Sequence, residues 1–422
     1  MNKEIIKRLI AEKQSDILSI KLIERPLKLE SEVNYVFVGL RRAGKSYMMY
    51  QHINSLIVSK RASIKEILYI NFEDERISGI KADELGLLLD AYNEMFDSKP
   101  IIFLDEIQII LGWEKFVRRL ADSQYRVFIT GCNAQMLNKE IYTTLGGRFL
   151  VKEVLPFSFK EYLNYNRIFL DKNWEYNNLR SKVIKEFGNY FYYGGFAESF
   201  TIKDKRSWLN ALYQKILLGD IIARNSIRNE NAIRVLVKKL AESVMQPSSI
   251  TRLKNIVEST GSKISLNTLN DYLQYLNDAF LVFGISNFSD KLSEKETFKK
   301  RYFYDNGLVY NFLFDPESIL LENITALNLK KIYDTDLFFF KKNIEVDFFI
   351  PKENKAIQVA YSIANDVTRN REVSALIKLS EIHKLESLEI ITFDEDSTLN
   401  VNGKIINIIP IWKWLIYNDN NL

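Results

Sequence analysis

The chain has 422 residues, 47% hydrophobic and 27% charged, with a formal net charge of +4. That balance reads as a water-soluble globular chain of several domains, and the charge is too small to imply nucleic acid by itself. A single cysteine excludes an intrachain disulfide, and with only two histidines it excludes Cys/His zinc clusters, so any catalysis must run on carboxylates, hydroxyls, Lys, Arg and bound metal.

Residues 1–30 open with MNKEIIKRLIAEKQSDIL, whose scattered charges and helical apolar spacing predict an amphipathic helix and not a signal peptide. No apolar stretch approaches the ~20 residues of a membrane helix. A cytoplasmic location and no membrane partner are expected. His52 falls in a predicted helix and His383 in a Lys/Glu-rich one, which makes both surface or core residues.

From 31 to 155 strand and helix patterns alternate, predicting an α/β core with a mostly parallel sheet. YVFVG leads into GLRRAGKS, Gly39 to Ser46, and a helix follows over Tyr47–Val58. Gly39 and Gly44 let the backbone turn so that amides face phosphate oxygens. Lys45 reaches the terminal phosphates and the Ser46 hydroxyl completes a magnesium shell. Arg41, Arg42, Ala43 and Tyr47 fill out this nucleotide-binding stretch, the two arginines facing nucleotide or a partner subunit. EILYINFED, PIIFLDE, RVFITG and FLVKEVL are the further strands. In IIFLDEIQ a buried strand delivers Asp105 and Glu106 to its carboxyl end, where open α/β sheets place ligands. Asp105 would hold magnesium with Ser46, and Glu106 would orient and deprotonate water. Asn133, after the fourth strand, stands where an amide senses the γ-phosphate. Arg148 is a candidate for transition-state charge, in its own subunit or a neighbour's, or a plain salt bridge.

VFVGLRRAGKSYMMYQHI, YINFEDERI, IIFLDEIQ with GWEKFVRRL, ITGCNAQML, GGRF and LPFSFKEYL together resemble a widespread prokaryotic ATPase family. That family belongs to the AAA+-like branch of P-loop proteins and is usually fused to a C-terminal domain of uncharacterised function. The resemblance spans nearly the whole chain. It implies ATP in place of GTP, Glu106 as hydrolytic base on the strand neighbouring that of the phosphate loop, and Asn133 as sensor.

Residues 156–229 read as a helical lid or linker, in which YYGGFAE and LLGDIIAR resemble the start of the family's second domain. Asp220 and Arg224, four apart, form an intrahelical pair or act near nucleotide or DNA. Residues 230–310 give helix, helix, turn, helix and two strands, the order of a winged-helix module. Its third helix carries Asp271 and Asp278 and no Lys or Arg. Lys299, Lys300 and Arg301 are the basic residues, positioned as backbone contacts, so DNA and a protein partner both stay open.

Residues 311–422 return to α/β patterning. EVD…QVA resembles the PD-(D/E)XK nuclease core: Asp347 matches its carboxylate, Gln358 its second position, and Ala360 stands where the lysine belongs. Glu345 and Asp347 share a strand face, with Thr368, Arg369, Arg371 and Glu372 on a nearby helix. A degenerate fold kept for binding or scaffolding is expected, without nuclease activity. The sequence thus predicts a magnesium-dependent ATPase with ATP and Mg2+ as cofactor set. Its C-terminal parts would carry nucleotide state to DNA, a protein partner or a second copy. The alternatives are a slow nucleotide-held switch and, less favoured, an ATP-dependent nuclease.

Overall fold

A computed structural model describes residues 2–131 and 144–419. The chain divides into two compact units, Met1–Leu155 with Asp278–Phe280, and Pro156–Asn277 with Leu281–Leu422.

In the first unit α1 (Lys3–Ser19) is capped by the Asn2 side chain and buries Ile6, Leu9, Ile10 and Ile17 on one face. Five strands follow: β1 (Asn34–Val38), β2 (Ile67–Asn71), β3 (Ile101–Asp105), β4 (Arg126–Gly131) and β5 (Phe149–Glu153). Their order is β2-β3-β4-β1-β5 and every pair is parallel. The helices α2 (Lys45–Val58), α3 (Gly86–Asn93) and α4 (Glu114–Asp122) connect them. Continuous apolar runs such as Tyr35–Val38 and Ile102–Leu104 suit strands buried on both faces. Phe103 and Phe128 stack at 4.8 Å in this core, and the His52 ring packs 4.6 Å from Phe128. His52 is thus a core residue, its pKa lowered to about 4 by burial and by Arg126.

The second unit starts with α5 (Phe159–Tyr165), α6 (Asn178–Tyr193) and α7 (Lys205–Lys215), the last continuing as a π-helical stretch, Ile216–Ala223. Asp220 and Arg224 do form an intrahelical pair, at 3.9 Å. Next come α8 (Glu230–Glu242), β6 (Ser248–Ser249), α9 (Ile250–Ser259), α10 (Leu266–Asp278), β7 (Val282–Asn287), α11 (Leu292–Thr297) and β8 (Phe298–Phe303). The three helices and the β7–β8 antiparallel pair follow the order read from sequence.

The chain goes on through α12 (Asn306–Tyr310), α13 (Glu317–Tyr333), β9 (Phe338–Lys341), β10 (Glu345–Ile350) and β11 (Lys355–Val359). It ends with α14 (Asp366–Ile382), β12 (Ser387–Thr392), β13 (Ser397–Val401), β14 (Lys404–Pro410) and α15 (Ile411–Asn418). One difference from expectation stands out. β7 pairs in parallel with β9, so one nine-stranded sheet, β13-β14-β12-β11-β10-β9-β7-β8-β6, runs across the boundary drawn at 310. The hairpin strands are built into this sheet between β9 and β6 and do not form a free wing. No described helix is long and apolar enough to cross a membrane.

Candidate active site

The loop between β1 and α2 has a backbone that only its glycines permit. A Cβ on Gly39 would lie 2.1 Å from the Val154 carbonyl oxygen, and Gly44 sits at φ +98°. Gly44 is also the N-cap of α2 and supplies no side-chain cap. The first amides of α2 therefore point out of the helix at the end of its dipole, an arrangement suited to anions. Lys45, 4% exposed, donates to the carbonyls of Gly39 (3.1 Å) and Leu40 (3.2 Å). Arg41 lies 3.4 Å from Glu73, Arg42 is exposed in the left-handed region (φ 64°), Ala43 is buried and Tyr47 is exposed.

At the ends of β3 and β4 three polar groups meet. Thr130, fully buried, donates to Asp105 Oδ1 (2.5 Å) and accepts from the Glu106 amide (2.8 Å). Tyr69, on β2, donates to Asp105 Oδ2 at 2.5 Å, and the Ser46 hydroxyl is near enough to favour the charged form of the same carboxylate. Burial pushes the Asp105 pKa up, against the bonds from Thr130 and Tyr69 that favour its charged form. Glu106 lies 3.9 Å from Lys45 Nζ, accepts a hydrogen bond from Gln108, and has φ 54°. A non-glycine residue in that region is strained by about 1–3 kcal/mol, and such strain concentrates where geometry matters to function.

Lys45, Ser46, Asp105 and Glu106 are therefore gathered at the carboxyl ends of the strands. Two expectations need correction. The acidic strand does not neighbour β1: β4 lies between them, which is why Thr130 can bridge Asp105 and Glu106. Arg148 cannot serve its own subunit's site. The register pairs Phe149 with Asn34, so Arg148 flanks Val33 at the opposite end of β1, roughly 20 Å from Gly39 at ~3.3 Å per residue. There it donates to Asp122 at 2.5 Å, the salt bridge that was its plain reading. Asn133, like Cys132, lies outside the described residues. Tyr69 and Thr130 escaped the sequence reading, although a threonine ending the apolar run VFIT was a signal.

In the second unit Lys300 contradicts its reading as a backbone contact. It is fully buried, with Nζ 3.1 Å from Glu322, 2.8 Å from Asp347 and 3.8 Å from Glu345. Burial alone would lower its pKa, but Asp347 and Glu322 raise it above the ordinary lysine value. Asp347 also accepts from the Val359 amide, and its own amide donates to Gln358. Glu345 and Asp347 share a face as expected, with Val346 buried on the other. The cation of Asp347 is this lysine, delivered from β8, while Glu345 pairs with Lys341 at 2.6 Å. Arg371, expected near this site, pairs with Glu372. Among the described residues no group of three or more His, Cys, Asp or Glu is arranged to hold a metal ion. On either side of Lys300, Lys299 and Arg301 line a groove of about 880 Å3 with Asn267, Asn270, Gln274 and Asn277 of α10.

Residues 32–163 match an AAA domain, and residues 184–318 match a domain of unknown function, DUF8612. The chain is 35% identical over 412 residues to the uncharacterized protein MJ1544 of Methanocaldococcus jannaschii, covering 94% of this chain and 90% of that one. It is 27% identical over 393 residues to an uncharacterized protein of Haemophilus influenzae, covering 90% and 94%. Among solved structures, the Walker-type ATPase PABY2304 of Pyrococcus abyssi aligns over 74% of this chain and 95% of its own, at 15% identity and TM-score 0.40. The ORC1 protein of Aeropyrum pernix, solved with DNA, aligns over 77% and 94% at 14% identity and TM-score 0.29.

Proposed function

From the premise that this chain belongs to the family of the Methanocaldococcus jannaschii protein MJ1544 and carries an AAA domain, we propose that it is a magnesium-dependent ATPase. One observation carries the reading. The Lys45 ammonium, the Ser46 hydroxyl near Asp105 and the Glu106 carboxylate converge at the carboxyl ends of β1 and β3. Such a set supplies phosphate binding, a metal position and a base, which is all that phosphoryl transfer to water needs from a protein.

The amides of Gly44, Lys45 and Ser46 bind the β-phosphate side, and Lys45 moves from its carbonyl partners to the β/γ-oxygens. The Ser46 hydroxyl and the Asp105 carboxylate are neighbouring hard oxygen donors, which fits magnesium held partly through water. When bound, the ion neutralises charge on the phosphates. Glu106 orients a water for in-line attack and takes its proton, and Thr130 keeps Asp105 and the Glu106 backbone in fixed relation. Arg41, Arg42 and Tyr47 flank the nucleotide, and Asn133 senses the γ-phosphate. An Arg148 from a second copy remains a source of transition-state charge. The test is steady-state hydrolysis by the purified chain and its Lys45→Ala variant, with and without duplex DNA. Turnover that survives Lys45→Ala would sink the assignment.

A second reading rests on the tie between Glu106, Gln108 and Lys45. A base held by two side chains must be released before it acts, so hydrolysis is slow and ADP is retained: a switch. Tight ADP on the purified protein with little turnover supports it, and fast DNA-stimulated turnover refutes it. In either case the second unit is the output. The amide row of α10 beside Lys299 and Arg301 offers hydrogen bonds to base edges with little charge, so DNA contact is weak and its salt dependence shallow.

A further inference from the structure

The stretch between α1 and β1 holds neither helix nor strand, and from Glu24 to Glu30 exposed and half-buried residues alternate. Its centre is clamped to α2. The Arg25 amide donates to Gln51 Oε1 at 3.0 Å, and the Arg25 carbonyl accepts from Gln51 Nε2 at 2.7 Å. From this anchored backbone the Arg25 side chain reaches two carbonyls. Nη1 donates to Ala43 at 3.0 Å and Nη2 to Leu155 at 2.9 Å. A Cβ built on Gly44 would stand 3.5 Å from Nη1.

We infer that Arg25 is a positioning residue of the phosphate loop, acting through a single peptide plane; this rests on the nucleotide reading above. The Ala43–Gly44 peptide is planar and trans, so its carbonyl and its N–H point in opposite directions. A guanidinium that draws the Ala43 carbonyl outward fixes the Gly44 N–H toward the inside of the loop, where phosphate oxygens bind. Glycine at 44 makes this restraint necessary, because a residue at φ +98° without a side chain has little else to resist rotation. The second nitrogen ties the loop to Leu155, next to Val154, whose carbonyl already abuts Gly39. Both ends of the loop are thus referenced to one segment of chain. The planar fork spreads its two donors to carbonyls on separate segments in one fixed geometry, which a lysine's single nitrogen reproduces only in part. Arg25 also places a permanent positive charge behind the anion site.

The experiment measures ADP affinity by calorimetry for the wild-type chain, Arg25→Met, Arg25→Lys, Gln51→Ala and Lys45→Ala, together with melting temperature without nucleotide. Arg25→Met is expected to bind ADP roughly tenfold to a hundredfold more weakly, the range for loss of charge-assisted hydrogen bonds. Arg25→Lys is expected to recover part of that loss, and Gln51→Ala to lose much less. Trypsin supplies an independent readout at the exposed Lys21 and Lys28 that flank Arg25. ADP should slow cleavage there in the wild type and not in Arg25→Met. Should Arg25→Met fail to fold, Arg25→Lys carries the test, with weaker ADP binding at an unchanged melting temperature. Wild-type affinity in Arg25→Met or Arg25→Lys, beside a loss in Lys45→Ala, overturns the positioning role alone. Equal losses in Arg25→Met and Gln51→Ala also overturn it, since the strap as a whole would then matter and not the guanidinium. No ADP binding by the wild-type chain overturns the nucleotide reading and this inference with it.

Discussion

Lys300 Nζ lies 2.8 Å from Asp347 Oδ1, and the lysine is fully buried. It crosses from β8 to the face of β10 where the nuclease-like pattern gathers its carboxylates. Its ammonium serves Glu322 and Asp347, while Glu345 has Lys341 at 2.6 Å; burial pushes the Glu322 carboxyl up to about 7 against the pull of Lys300. Lys300→Met should therefore destabilise the second unit by about 3–5 kcal/mol, the usual cost of stranding a buried charge partner. Urea unfolding of the two proteins at pH 8 measures it. A loss below 1 kcal/mol would show that the cluster is solvated. The same placement predicts no plasmid cleavage with Mg2+ or Mn2+, with or without ATP, that depends on Asp347.

Glu106→Gln should bind ATP about as well as the wild type and hydrolyse it roughly 10²–10⁴ times more slowly, the range for removing a positioned base. Single-turnover hydrolysis with a separate binding titration reads the two effects apart. Normal turnover would mean that another group activates the water.

How much of this was legible depended on how local each signal was. GLRRAGKS and the Asp105–Glu106 pair could be read because their chemistry is set by fixed offsets along one strand–turn–helix. The contacts of Thr130 and Tyr69 with Asp105 depend on which strands lie side by side, and the insertion of β4 between β1 and β3 is not written in any one segment. Arg25 sits in an irregular stretch with no periodicity to mark it. KKR at 299–301 reads as basic residues positioned for backbone contacts. Strand alternation applied to it would have sent Lys300 one way and its neighbours the other, but the carboxylates awaiting it lie 22 and 47 residues further on. Arg148 misled for the same reason: GGRF does not say at which end of the sheet it falls.

Thr130→Val keeps the shape of a buried side chain and removes its hydroxyl. The Glu106 amide and one Asp105 oxygen then lose their partner, a cost of about 1–3 kcal/mol for each buried group left unpaired. Turnover should fall with little change in ADP affinity, because the phosphate loop is untouched. A turnover equal to wild type would show that Asp105 and Glu106 keep their relation without this bridge.

Arg148→Ala should leave ATP affinity within about twofold of wild type, since a site roughly 20 Å away feels a surface charge only weakly after screening. Its effect on turnover separates two cases. A loss that appears only at protein concentrations where copies associate, and that mixing with an active-site Glu106→Gln chain partly restores, identifies a neighbour's arginine. No loss at any concentration leaves Arg148 as the partner of Asp122 alone.

Asp305, fully buried after β8, offers a pH test. Its Oδ1 accepts from the Gly307 amide and its Oδ2 from the Gly195 amide, both at 2.8 Å, yet burial outweighs these bonds and raises its pKa to about 7. In the unfolded chain the group titrates near 4. Between these values the folded protein holds a proton that the unfolded chain has lost, so this group's contribution falls as pH rises from about 4 to 7. At ~1.4 kcal/mol per pKa unit the full swing is a few kcal/mol. Asp305→Asn cannot titrate, and it replaces one acceptor with a donor facing an N–H. It should be less stable at pH 5 by about 1–3 kcal/mol, and the gap to wild type should narrow or reverse toward pH 8. Urea midpoints for both proteins at pH 5, 6, 7 and 8 isolate Asp305 from every other titrating group. A gap independent of pH would mean that Asp305 is ionised throughout and held by its amides.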